Sequence, residues 1–157
     1  MKTIHLAREQ KPAQGGFSLA EMTVLLAVIG SLCVLSLPIF LSYYQSAQVR
    51  SAASDVAGFV NQGRQLAIQR NQSVCVNIGS TAVQYRLGSC GGTVWTGAIT
   101  TSAGNVNTPA GITLTTTANP VFSNLGAATP AATITVSQGT RTLSVVVASS
   151  GRVSLGP

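Results

Sequence analysis

A long apolar segment near the start of the chain dominates its hydropathy pattern. From Phe17 to Leu41 there are 25 residues without Lys, Arg or Asp, and the one charged side chain among them is Glu21. As an α-helix this segment would be roughly 37 Å long, which exceeds the thickness of about 30 Å of a bilayer core. The pattern therefore predicts a transmembrane helix over residues 17–41.

A second pattern follows directly, because small and apolar residues recur every three or four positions up to Arg70. This spacing is typical of one face of an amphipathic helix that buries itself against a sheet. We predict that this helix continues the first one over residues 42–71 and closes at Arg70-Asn71. The recurring residues are Val49, Ala52, Ala53, Val56, Phe59, Val60, Gly63, Leu66 and Ala67.

Beyond residue 72 the pattern changes to short alternating segments separated by turn sequences such as Gly79-Ser80 and Gln138-Gly139. Such segments predict β-strands joined by tight turns. The fold class is therefore α+β, with a long N-terminal helix packed on a C-terminal antiparallel sheet over residues 72–157. The predicted strands are Ser73–Ile78, Ala82–Leu87, Val94–Ile99, Gly111–Thr117, Ala132–Ser137, Thr142–Ala148 and Arg152–Leu155.

The segment before the apolar run has the features of a leader. It carries Lys2, Arg8 and Lys11 against a single Glu9, so it is expected to stay in the cytoplasm while the rest of the chain is exported. A secretory signal peptide has its small-residue cleavage site after the apolar core, whereas Gly15-Gly16 precedes it here. We therefore predict cleavage after Gly16 and removal of residues 1–16; an ordinary signal peptide, a lipoprotein and a simple single-span anchor are the alternatives.

Glu21 is the most unusual residue of the apolar segment. A carboxylate within a bilayer costs about 2.5–3.5 kcal/mol on insertion scales and usually marks a function. Cleavage after Gly16 would free an amine on Phe17, and that amine could neutralise Glu21 of a neighbouring subunit in a packed assembly. The alternative is that Glu21 extends to the lipid headgroups near its own helix end.

The string GFSLAEMTVLLAVIG, which begins at Gly16, resembles the start of type IV pilins and of type II secretion pseudopilins. The resemblance implies cleavage after Gly16 by prepilin peptidase, N-methylation of Phe17 and a requirement for Glu21 in assembly. It also implies a single-pass protein of the inner membrane, with its C-terminal domain in the periplasm before it joins a filament. The implied partners are the peptidase, the membrane, and other major and minor pilins or pseudopilins.

Three further segments resemble the narrower GspH/FimT group, whose members are minor subunits at or near the filament tip. They are Ala67 to Asn71, Phe122 with Gly126, and Ser150 to Val153. Some FimT members bind DNA through a Gly-Arg-x-Arg motif, which here ends in Ser154 instead of the second Arg. Arg152 and Arg141 are therefore candidate DNA-binding residues; the structural alternative is that Arg152 caps a turn.

Composition limits the chemistry that the exported part can perform. After cleavage it carries six Arg and no Lys, and Glu21 and Asp55 are its two acids. The exported domain has no His and no Glu, and Asp55 stands alone on the helix, so hydrolysis or group transfer would lack a general base. We expect neither an enzyme nor a bound cofactor or metal. Cys75 and Cys90 are candidates for a disulfide worth about 3 kcal/mol in an oxidising compartment.

Three roles follow from these residues. The first is a structural or priming subunit of a type IV pilus. The second is a pseudopilin of a type II secretion system, whose filament pushes exoproteins outward. The third, of a different class, is a DNA-binding tip subunit for DNA uptake in natural transformation.

Overall fold

The computed structural model describes residues 16–156, and at residues 35–39 it describes the backbone but not the side chains. The predicted leader thus lies outside the described residues, apart from Gly16. The chain divides into two compact units, Met1–Phe40 and Leu41–Pro157, which we call the N-terminal unit and the globular unit. The described residues form one helix, α1, Leu19–Arg70, and the strands β1 (Val74–Ile78), β2 (Ala82–Leu87), β3 (Asn105–Asn107), β4 (Thr113–Thr116), β5 (Val121–Phe122), β6 (Ala128–Thr129), β7 (Ala132–Gln138), β8 (Arg141–Val147) and β9 (Val153–Gly156).

Helix α1 ends where the sequence predicted, and local chemistry explains why. Asn71 has a positive φ of 48°, in the left-handed region that ends helices. The N–H of Asn71 donates to the carbonyl of Ile68, and the N–H of Gln72 donates to that of Ala67. These two bonds form a Schellman motif, which satisfies helix carbonyls that would otherwise lack partners.

The strands form two antiparallel sheets. The strand order is β3-β2-β1-β5-β6 in the first sheet and β4-β7-β8-β9 in the second. β7 and β8 pair along their whole length, from Ala132 opposite Val147 to Gln138 opposite Arg141. The predicted hairpins β1–β2 and β7–β8 are both present.

The strand predicted over Val94–Ile99 is wrong. Only Val94 bridges to Arg86, and the N–H of Trp95 donates to the carbonyl of Tyr85. The chain then turns, because the Trp95 indole lies against Gly97, where a Cβ would overlap the ring. The third strand on this edge is instead β3, whose three residues are too few to show the alternation that marks a strand.

The core lies where the inner face of α1 meets both sheets. The predicted helical stripe is buried at Val49, Ala52, Ala53, Val56, Val60, Leu66 and Ala67. Gly63 lies where the helix approaches β1 so closely that a Cβ would overlap the side chain of Val76. The predicted packing of a long helix on antiparallel sheet is therefore confirmed for the globular unit.

Candidate assembly and anion-binding sites

The predicted processing site directly precedes the first turn of α1. Gly16 and Phe17 are exposed, and Leu19 is the first helical residue. Ser18 caps the helix, since its Oγ accepts a hydrogen bond from the N–H of Glu21 at 3.2 Å. The carboxylate of Glu21 lies in the first turn, where the positive end of the helix dipole favours a negative charge. This cap was not predicted, although Ser-x-x-Glu is its sequence signature.

The apolar side chains described in the N-terminal unit are not buried by other residues of that unit. All residues from Gly16 to Val34 are exposed, including many large apolar side chains. A contiguous apolar surface of this kind is typical of a segment that packs against other chains or lipid. Among the described residues, no helix reaches the length and hydropathy required of a membrane span. The span over residues 17–41 thus remains a prediction.

The predicted disulfide is present. Cys75 and Cys90 are bonded, with their Cα atoms 5.0 Å apart. Cys75 is fully buried in β1, whereas Cys90 lies in the loop after β2. The bond therefore ties this loop to the central strand of the first sheet.

The two candidate DNA-binding arginines lie at opposite ends of β8. Arg141 is the first residue of that strand, whereas the carbonyl of Arg152 accepts from the N–H of Ala148 just beyond its other end. Ala148 comes seven positions after Arg141 in an extended segment, a distance of about 23 Å. Both side chains are exposed, but the fold does not bring them together.

The basic residue that the fold does place beside the predicted Gly-Arg motif is Arg64 of α1. Its Nε lies 3.2 Å from where a Cβ on Gly151 would be, and 2.7 Å from the same position on Gly126. This nitrogen is buried without a hydrogen-bond partner. Arg64 thus supplies a second positive charge next to Gly151, the residue that precedes Arg152.

Gly126 and Gly151 lie at the centre of a junction that we call the glycine junction. A Cβ on Gly151 would overlap the carbonyl oxygen of Gly126, and one on Gly126 would lie 3.1 Å from Ile68 Cδ1. Nearby, Asn124 Nδ2 donates to Asn71 Oδ1 at 2.9 Å. The three segments that resemble the GspH/FimT group therefore meet here, where they join the end of α1 to both sheets.

A separate cationic groove lies at the other end of β8, between α1 and the second sheet. Its volume is about 480 Å³, and Arg50 and Arg141 both line it. Arg141 Nη2 donates to Ser42 Oγ at 2.9 Å. We call this site the arginine groove; its lining is Ser46, Val49, Arg50, Arg141, Thr142, Leu143, Leu155 and Gly156.

The aromatic pair of the first sheet belongs to the core. Tyr85 is fully buried, and its ring lies edge-on to that of Trp95 with centroids 5.8 Å apart. The Tyr85 hydroxyl donates to the carbonyl of Phe59 at 2.9 Å. Burial raises the pKa of this hydroxyl, so it remains a neutral donor. The geometry fits packing rather than stacking on a ligand.

Comparison with solved structures identifies the fold. The chain is similar to the type IV minor pilin FimU of Pseudomonas aeruginosa, with a TM-score of 0.54 and 13% identity over 69% of this chain and 92% of that one. It is also similar to the minor pseudopilin EpsH of the type 2 secretion system of Vibrio cholerae, with a TM-score of 0.53 and 13% identity over 69% of this chain and 95% of that one. No protein-family model and no curated sequence matches the chain. The pilin-like fold predicted from the sequence is thus confirmed.

Proposed function

We propose that this protein is a minor pilin or pseudopilin, a non-catalytic subunit that assembles into a type IV pilus or a type II secretion pseudopilus at or near its tip. The observation that carries the proposal is the likeness of the fold to FimU and EpsH over 69% of this chain and more than nine-tenths of each of theirs. The exposed apolar start of α1 supports it, because such a surface needs other helices or lipid as cover.

The proposed route to the filament begins at Gly16. Prepilin peptidase cuts after this residue, and Phe17 becomes the methylated N-terminus. Residues 17–41 hold the subunit in the inner membrane with the globular unit in the periplasm until assembly. Glu21 of the cleaved subunit then pairs with the amine on Phe17 of a neighbour, which neutralises both charges in the dry helix bundle.

The test combines processing and assembly of the full-length chain in cells that contain a pilus or a type II secretion system. Mass spectrometry of the N-terminus should show loss of residues 1–16 and addition of one methyl group. The cleaved chain should also appear in the sheared filament fraction. The system whose deletion removes it from this fraction is the one to which it belongs.

Two variants that remove one negative charge each provide the matched comparison. We expect Glu21→Gln to be cleaved normally but to be lost from the filament fraction. Asp55→Asn makes the same change on an exposed position of the globular unit and should assemble as the wild type does. An uncleaved chain, or equal assembly of both variants, would contradict the proposal.

The second candidate function is DNA binding by a tip subunit during DNA uptake. The observation that favours it is the position of Arg64, whose Nε lies 3.2 Å from the Cβ position of Gly151, the residue that precedes Arg152. Clustered cations bind phosphates without a fixed sequence spacing, so Arg64 compensates for Ser154. Arg141, about 23 Å away, contacts DNA only if the duplex runs along β8.

The test of this candidate is DNA binding by the full-length protein in detergent micelles at several salt concentrations. Affinity should fall as salt rises, and Arg152→Ala should weaken binding and reduce the slope against salt. Arg141→Ala distinguishes a local site from a duplex laid along β8. Absence of binding at low salt would exclude this function and leave the filament role untouched.

A further inference from the structure

Strand β9 forms an open edge of the second sheet. It is the last strand in the order β4-β7-β8-β9, and the described residues place no strand beyond it. The edge of a sheet presents unpaired N–H and C=O groups that can pair with another chain. Such an edge is a template for an added strand.

The pairing with β8 shows which backbone groups of β9 face outward. The N–H of Ala148 donates to the carbonyl of Arg152, and the carbonyl of Ala148 accepts from the N–H of Gly151, so Ala148 is at a hydrogen-bonded position of the ladder. Hydrogen-bonded and non-hydrogen-bonded pairs alternate along an antiparallel ladder. The pairs that Val153 and Leu155 form with β8 are therefore non-hydrogen-bonded pairs. Their N–H and C=O groups point away from β8 and offer up to four hydrogen bonds.

Leu155 lies where this edge opens into the arginine groove. It pairs with Val145, whose side chain is fully buried, so both side chains lie on the same face of the sheet. Leu155 is nevertheless 46% exposed, and the groove extends from it to Val49 and Arg50 on α1. The groove thus has an apolar floor beside an open strand edge.

The charge of the arginine groove determines which kind of ligand can complement it. Arg50 and Arg141 line it, whereas Asp55, the one acid of the globular unit, lines a different depression together with Phe59 and Gln62. None of the described residues that line the groove is acidic, so no described side chain there balances the positive charge of Arg50 and Arg141. An occupant that carries a carboxylate complements it.

We propose that an extended, acidic segment of a neighbouring filament subunit adds to the edge of β9 and places a carboxylate between Arg50 and Arg141. This inference rests on the proposed filament role and names the contact by which the globular unit would join its neighbour. The neighbour is a different protein, because none of the nine strands that the structure describes contains Asp or Glu. Backbone pairing supplies affinity in such an addition, and the charge supplies register and selectivity.

The test uses the full-length protein in detergent micelles and a fluorescent peptide of alternating Val and Thr in which two Thr are replaced by Glu. One twin peptide carries Gln at the two Glu positions. A second twin has alternate backbone nitrogens methylated, so that it cannot pair with a strand edge. Fluorescence anisotropy measures the binding of each peptide.

We expect saturable binding of the acidic peptide, and no measurable binding of the methylated twin. Arg50→Gln and Arg141→Gln should each weaken binding roughly fivefold, the effect of losing one exposed ion pair. Arg70→Gln is the matched control, because Arg70 is exposed at the far end of α1 and should leave binding unchanged.

Three results would overturn the proposal: no saturable binding of the acidic peptide, equal binding of its methylated twin, or an equal loss in Arg70→Gln. Any of them would leave the filament role standing if the cleaved chain still enters filaments. Loss of filament entry combined with intact peptide binding would refute the proposed function instead. The two conclusions thus fail separately.

Discussion

Gly151 contacts Gly126 so closely that a Cβ atom on Gly151 would overlap the carbonyl oxygen of Gly126. Both residues have positive φ, 80° and 83°. The N–H of Ala128 donates to the carbonyl of Ser149 beside this contact. The turn before β9 is thereby held against the loop between β5 and β6, and the two sheets meet at the glycine junction.

Gly151→Ala should lower the free energy of unfolding by about 2–5 kcal/mol. The left-handed conformation costs an alanine about 1–2 kcal/mol, and the overlap adds the cost of overpacking. Gly139→Ala is the matched control, because Gly139 also has a positive φ but nothing lies within 4 Å of its Cβ position. Urea denaturation of the full chain in micelles, followed by circular dichroism, measures both. Equal losses would show that the contact with Gly126 contributes nothing.

Gly63 and Gly58 should respond in opposite directions to the same substitution. A Cβ at Gly63 would overlap Val76 Cγ2, so Gly63→Ala should destabilise by about 1–3 kcal/mol as α1 moves off β1. Gly58 has open space around it, and Gly58→Ala should stabilise the helix by about 0.5–1 kcal/mol. The same urea denaturation experiment measures the change in the free energy of unfolding for both variants. A stabilising Gly63→Ala would mean that the helix approaches the sheet less closely.

Removal of the disulfide should cost about 3 kcal/mol. Cys75 and Cys90 are 15 residues apart, and a loop of this size gives that value in the chain-entropy model. A reducing agent should lower the unfolding midpoint of the wild type and leave that of the Cys75→Ala, Cys90→Ala double variant unchanged. An unchanged wild type under reduction would argue against a stabilising bond.

Tyr85 should make stability fall at alkaline pH. Because burial raises its pKa above the usual value of about 10, the folded state keeps this proton above pH 10 while the unfolded state loses it. Its contribution is thus fully present below pH 10 and is lost as pH rises.

Replacement of Tyr85 tests this dependence. Tyr85→Phe should remove the contribution of this hydroxyl to the dependence of stability on pH. It should also lower the free energy of unfolding by about 1 kcal/mol, because the hydrogen bond to the carbonyl of Phe59 is lost. Tyr43→Phe, at an exposed position, serves as control. Urea denaturation between pH 8 and about pH 11 measures the slope, and an identical slope in Tyr85→Phe would contradict the assignment.

Long periodic or alternating segments allowed prediction of the helix and of most strands. The stripe of small and apolar residues in α1 arises because one face of the helix is buried. The alternation in β2, β7 and β8 arises in the same way, because one face of each strand is buried and side chains alternate between faces. The short strands β3, β5 and β6 show no such pattern, since two or three residues are too few to reveal a periodicity. The strand predicted at Val94–Ile99 failed because Trp95 packs on Gly97 and the chain turns there.

Residues that are near in sequence were enough to predict the long helix and its end at Asn71, because periodicity and capping depend on neighbouring positions. Composition likewise marked Cys75 and Cys90 as disulfide candidates, which the structure shows to be bonded. Which charged residues lie near which parts of the chain depends instead on how the strands pair and how α1 packs on the sheets. Arg141 and Arg152 are near in sequence but lie at opposite ends of β8, whereas Arg64 and Gly151 meet across the fold. An antiparallel strand separates its two ends by its full length, and packing of α1 on the sheets joins positions that no sequence spacing relates.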